Sequence, residues 1–207
     1  MVKNVSYCPK CGIKLPKEEG IKFCPNCGSL IHLAWSCSLR TRVIVFLAVL
    51  FLCFISTILG TLARVNLTEA LRIERDVENL RTAIRVVGVQ VIFGNNFMYT
   101  MIMFVPVIGP GWGFFILYNT GRVIAAIAAI NRVNPIFLLS LLFLQMHAWM
   151  EYVSYSLAIS ESLILTYSII KRSFKNELKN MSVILTICSI ILLLAAIIEF
   201  AAILYLI

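Results

Sequence analysis

Four cysteines near the start of the chain have the spacing of metal ligands. Cys8-Pro9-Lys10-Cys11 and Cys24-Pro25-Asn26-Cys27 are two CxxC knuckles, each followed by a glycine (Gly12, Gly28), with twelve residues between them. Two residues between thiolates let both sulfurs reach one ion. The trailing glycine permits the tight turn that aims backbone N–H groups at them. Two knuckles supply four thiolates, which closes a tetrahedral structural zinc site and leaves no open position for chemistry. A pair of disulfides is the competing reading of the same cysteines. One structural Zn2+ per chain is expected, on the cytosolic side, where thiolates persist best.

The other chemistry-bearing residues lie in apolar surroundings. Arg122, His147, Glu151, Glu161 and Glu199 fall within hydrophobic stretches, with the amides Asn95, Asn96, Asn119 and Gln145. A charge inside a bilayer costs at least ~2.5 kcal/mol, so each needs a partner or a function. His147 and Glu151 are four apart and share a helical face. Asn95, Asn96, Asn119, Arg122, His147, Glu151 and Glu199 therefore form a candidate intramembrane polar site. Three carboxylates outnumber one arginine, and Arg122 is expected to pair with one of them. The cluster reads either as a polar cavity for protons, ions or catalysis, or as a network that fixes helix packing. The expectation is a wet cavity at His147–Glu151 and a packed partner at Glu199. No complete catalytic set accompanies them: there is no HExxH, phosphate-binding glycine loop or recognisable nucleophile–base pair, so an enzyme is not expected.

Composition shows what must position these residues. Of the 207 residues, 60% are hydrophobic and 14% charged, with a mean hydropathy of +0.93, where a soluble domain carries roughly a quarter charged residues. The apolar residues come in blocks of about twenty, the length of a membrane-crossing helix. The net charge of +8 does not point to nucleic acid. Its basic residues border the apolar blocks: Lys3, Lys10, Lys14, Lys17, Lys22, Arg40 and Arg42 before the first, Lys171, Arg172, Lys175 and Lys179 before the last. That is the pattern of topology signals and headgroup contacts. Cys53 and Cys188 read as small packing residues.

The expected organisation is an all-α polytopic membrane protein of about five spans plus a re-entrant half-helix, with a small N-terminal β zinc ribbon. The ribbon covers residues 1–30, a linker with Trp35 as an interfacial anchor covers 31–42, and the helical transmembrane domain covers 43–207. Thirty residues bury too little apolar surface to fold alone, so the metal should supply most of the ribbon's stability. Spans are expected at 43–63, 86–108, 111–130, 150–170 and 183–206. An amphipathic helix occupies 64–85, where Leu67, Leu71, Val77, Leu80 and Ile84 recur at helical spacing among charges. Gly109-Pro110-Gly111 reads as a turn. Residues 135–170 are too long for one span and awkward for two. A half-helix at 135–148 keeps the basic loop after residue 170 in the cytoplasm. Gly121, Ala125 and Ala129 mark a close helix contact, within one chain or between chains.

Several of these residues carry a family resemblance. Gly94-Asn95-Asn96, Asn119-Thr120-Gly121, His147 with Glu151, and Glu199 after Ala195-Ala196-Ile197-Ile198 occur in the order seen in the stage II sporulation protein M family. Residues 43–207 resemble that family of integral membrane proteins. Its Pro-His-Gly-x-x-Glu motif is matched only at His147 and Glu151, since Gln145-Met146 and Ala148 depart from it, and Thr120 interrupts the Asn-Gly pair. The ribbon resembles those fused to archaeal membrane proteins. The resemblance implies a membrane-embedded scaffold that organises or remodels the bilayer. The closed zinc site, the small-residue face and the lack of a catalytic set agree with a non-enzymatic homo-oligomer or membrane complex. The basic residues and thiolates agree with a plasma-membrane protein whose N-terminus is cytoplasmic. The ribbon would recruit a cytosolic protein partner. A transporter or channel-like protein using the His/Glu site is the alternative.

Overall fold

The computed structural model describes residues 7–8, 10–15, 23–29, 37–171 and 174–205. Trp35, Lys3, Lys17, Lys22, Arg172 and linker residues 31–36 lie outside them. The described residues form seven helices: α1 (Leu39–Thr61), α2 (Leu67–Val87), α3 (Val89–Met103), α4 (Ile108–Asn131), α5 (Pro135–Leu144), α6 (Met146–Ile170) and α7 (Phe174–Tyr205). Four are long and apolar enough to cross a membrane: α1, α4, α6 and the part of α7 from Glu177. Within the N-terminal region an isolated antiparallel bridge joins Tyr7 to Lys14. No strand forms among the described residues, so a β ribbon is not seen.

Helix ends follow local chemistry. Ser38 accepts from the Thr41 N–H at 3.2 Å and starts α1 four residues before the expected span. Asn66 caps α2 through the Glu69 N–H at 2.9 Å. Gly88, at φ +87°, ends α2 and opens α3, a left-handed position that side chains disfavour. Asn134 and Pro135 start α5 in the same manner, with the Ile136 N–H bonded at 2.8 Å.

Besides the early start of α1, α3 is shorter than the span expected at 86–108, α7 starts nine residues before the expected 183, and two turns differ from the sequence reading. Gly109-Pro110-Gly111 is the first turn of α4, where a missing proline N–H costs nothing. The chain turns just before, at 104–107, with Val107 at φ +71°. That turn is tied to α6: Ser162 donates to the Val105 carbonyl at 2.7 Å and Thr166 accepts from the Val107 N–H at 2.9 Å. Gly109 is required there, since a Cβ would stand 2.0 Å from the Met103 carbonyl oxygen. The second difference is the break between α5 and α6. It falls at Gln145, whose extended backbone separates the helices. Trp149 donates its indole N–H to the freed Phe143 carbonyl at 2.8 Å. Phe54, Phe143, Trp149 and Tyr152 stack around the joint at 5.1–5.9 Å between ring centroids.

α6 is the axis of the bundle. Of its most apolar stretch 61% is buried, against 22% for α1. Contacts along it fix the helix directions. α1 runs antiparallel to α6, with Arg42 meeting Glu161 and Thr57 meeting Tyr152. α3 runs parallel to it, with Asn96 meeting Glu151 and Val105 meeting Ser162. α7 returns antiparallel, with Cys188 reaching the Ser154 carbonyl. The core gathers Cys53, Met103, Phe104, Leu117, Tyr155, Ile159 and Leu192 from these helices. α1 and α4 touch where Gly60 faces Gly121. A Cβ on either would fall 2.0–2.1 Å from a backbone oxygen of the other helix. The small-residue contact at Gly121 is thus made within the chain, while Ala129 is exposed.

Candidate functional sites

The two knuckles fold alike. In each, the first cysteine's N–H donates to the carbonyl five residues on (Ile13, Ser29) at 2.8 Å. The glycine N–H returns to that cysteine's carbonyl at 2.9 Å. Gly12 and Gly28 take φ of +72° and +64°. Cys8 and Cys24 are buried over Leu15. All four sulfurs lie within 4.8 Å of one another, with Cys8–Cys27 at 3.7 Å and Cys11–Cys24 at 3.6 Å. A tetrahedron with 2.3 Å metal–sulfur bonds has edges of about 3.8 Å, so the set fits one ion. No disulfide joins them: the paired sulfurs stand well beyond the roughly 2.05 Å of an S–S bond. The Ser29 hydroxyl and nearby amide N–H groups bring the Cys8 thiol down to about 5, and burial pushes Cys24 up to about 11. Four sulfurs converging without a cation cannot all be charged, a conflict that a bound ion removes.

The intramembrane residues separate into two groups. Asn95, Asn96, His147, Glu151 and Glu199 line adjoining clefts between α2, α3, α6 and α7. Asn96 donates to Glu151 at 2.6 Å. Glu199 lines both clefts and has no hydrogen bond or ion pair among the described residues, so the expected packing partner is not there. The larger cleft, about 380 Å³, is walled by Ile84, Ala202 and Ile203 and bordered by Arg81, Arg85, Gln145, His147 and Glu199.

Asn119 and Arg122 are elsewhere. Asn119 donates to the Phe115 carbonyl of its own helix at 2.9 Å. Arg122 forms its ion pair with Glu69 of α2, not with a carboxylate of the cluster. The cause is helix placement: this face of α4 packs on α1 and α2, away from the clefts. The N-cap at Asn66 sets Glu69 in the first turn of α2, within reach of Arg122.

A third polar site is legible in sequence only at Glu161, not in its pairing. Arg42 bonds Glu161 at 2.5 Å and also Glu177, which are 1% and 0% exposed. Glu177 further accepts from the Cys37 N–H at 3.0 Å and from Asn180 at 2.9 Å. Arg42 reads in sequence as one of several flanking basic residues, and Glu177 as part of a basic loop. The signal that could have found them is that Glu177 is the one acid among Lys171, Arg172, Lys175 and Lys179. Helix α7 begins at Phe174 and carries Glu177 into the bundle. Arg81 and Arg85 likewise read in sequence as part of the charged face of α2.

No family model matches the chain, and no curated protein or solved structure matches it.

Proposed function

We propose that the protein is a non-enzymatic multi-pass scaffold of the plasma membrane, with a cytosolic zinc knuckle that docks a protein partner. The observation that carries this reading is the closure of the metal site. Four thiols converge, no ligand position is left for a substrate, and the ion can act only on folding and shape. Zinc is the ion that four thiolates at this spacing favour. Residues 37–42 support a mechanical link, because Cys37 and Arg42 are both held by Glu177 at the base of α7.

Five crossings with a re-entrant α5 remain the preferred topology. Helix directions support it: α3 leads from the cleft end of α6 to the Ser162 end, α4 returns, and ten-residue α5 covers only about 15 Å. An N-terminus inside places the basic segment after α6 in the cytoplasm and the C-terminus outside. The resemblance to the sporulation protein M family agrees with a membrane-organising role, within a homo-oligomer or a larger complex.

The transporter reading rests on Glu199, a partnerless carboxylate facing a cleft beside a broken helix. Reconstitution into liposomes with a trapped pH dye separates the two. A scaffold leaves imposed proton and ion gradients intact, whereas a transporter dissipates them and loses that activity with Glu151→Gln. The zinc claim is checked on the same preparation: about one zinc per chain is expected, and Cys24→Ser should lose it while the protein stays in the membrane.

A further inference from the structure

The larger cleft carries charges of both signs that do not meet. Arg81 and Arg85 stand one turn apart on the same face of α2, and both border it. Glu199 borders it from α7, yet no ion pair within 4 Å joins it to either arginine. Among the described residues Arg81 forms one ion pair, with the exposed Glu78 at 3.6 Å. Arg85 has no ion pair among the described residues. Opposite charges on one cleft that stay apart leave room for a ligand of complementary polarity, an anion at the arginines and a cation at the glutamate.

Further features narrow the ligand. The cleft lies at helix ends: Arg85 is in the last turn of α2, and Gln145 and His147 border it at the start of α6. The end of a membrane-crossing helix is where arginines reach outward to headgroups. About 380 Å³ suits a small ligand or headgroup. The walls Ile84, Ala202 and Ile203 are apolar. Glu199 offers an acceptor-only carboxylate, and Gln145 and His147 beside it can also accept, which favours a cation bearing N–H donors over a quaternary one.

We propose that this cleft binds a phosphate ester carrying a primary amine, the chemistry of a phosphatidylethanolamine headgroup. Arg81 and Arg85 hold the phosphate, and Glu199 accepts from the ammonium. The inference rests on the membrane placement proposed above and is independent of the knuckle's partner role.

The test uses full-length, zinc-loaded protein in phosphatidylcholine nanodiscs, titrated with acyl-labelled lipids that differ only in stepwise N-methylation of the amine. Affinity should fall from the primary amine to the trimethylated headgroup by on the order of tenfold, as for loss of a charge-assisted hydrogen bond. Glu199→Gln should abolish that preference, while Arg81→Gln with Arg85→Gln should weaken every headgroup alike. Equal affinity across the methylation series overturns the proposal, as does a preference that survives in Glu199→Gln. The series on the unmodified protein decides even if a variant misfolds. Soluble phosphoethanolamine is the second arm. Displacement of lipid by it assigns the site to a free phosphoamine, lipid binding without displacement assigns it to the bilayer, and binding in neither arm overturns the proposal. Vesicle flotation separates a failure of the site from a failure of membrane placement.

Discussion

At one end of the α6–α7 pair, Glu161 and Glu177 close on Arg42. Ten residues back along α6, about 15 Å, Glu151 and Glu199 face clefts with no cation in ion-pair contact. The same two helices thus hold two carboxylate pairs. At the first, the side chains are sealed, with exposures of 1% and 0%, and α1 supplies the counter-charge. At the second, α2 lies across the opening with its arginines at the rim. The difference teaches what each pair is for: a sealed charge needs its partner to fold, whereas a charge on an open cleft can wait for a ligand.

The contrast breaks or holds on stability measurements. Arg42→Met should have the largest effect, about 3–5 kcal/mol, because it strands two buried carboxylates. Adding Glu161→Gln and Glu177→Gln should recover part of the loss. Reversible unfolding in mixed micelles reads both, and an Arg42 variant no weaker than the cleft variants would erase the distinction. Gly121→Leu should come next, at about 1–3 kcal/mol or more, since its side chain enters the α1 backbone. Glu199→Gln should stay within about 0.5 kcal/mol, because it has no partner to lose. A large destabilisation there would mean that Glu199 serves packing after all.

The smallest expected effect sharpens the sealed end. Burial, the largest cause, raises the Cys37 thiol above its ordinary range, and the nearby Glu177 adds to it. A raised thiol carries less thiolate at a given pH, so Cys37 should alkylate more slowly at pH 8 than the same thiol in the unfolded chain. Glu177→Gln should speed it slightly. Mass mapping of the Cys37 peptide follows the rate.

Legibility in the sequence tracked the range of the interaction. The knuckles are local, so cysteine spacing and two glycines were sufficient to gather four sulfurs. The apolar blocks mark four of the five expected spans for the same reason, while the fifth, 86–108, holds the fifteen-residue α3, shorter than the four candidate spans. Asn96, Glu151, His147 and Glu199 were found because a polar residue in an apolar run stands out. Arg42 with Glu177 could not be found that way. They are 135 residues apart, sit at polar borders, and meet only because α7 starts at Phe174 and carries its first acid inward. The pairing of Arg122 with Glu69 was missed for a related cause, since charge counting says nothing about which face of α4 turns toward α2. The break at Gln145 carries no proline or glycine. It depends on Trp149 reaching back to Phe143, a contact invisible to breaker rules.

Five of the buried positions in α6 are serines: Ser154, Ser156, Ser160, Ser162 and Ser168. Ser162 bonds the turn between α3 and α4, and Ser156 faces Cys53 of α1. A helix so provisioned is a poor lodger in lipid by itself and a good one among neighbours. The order of the chain provides for this, because α1, α3 and α4 leave the ribosome before α6 does. Synthesis from the N-terminus therefore builds the socket before its plug. Residues 146–207 expressed without the preceding helices should lose that advantage, and cysteine labelling from the two sides of the membrane should find α6 inserted less completely than in the whole chain.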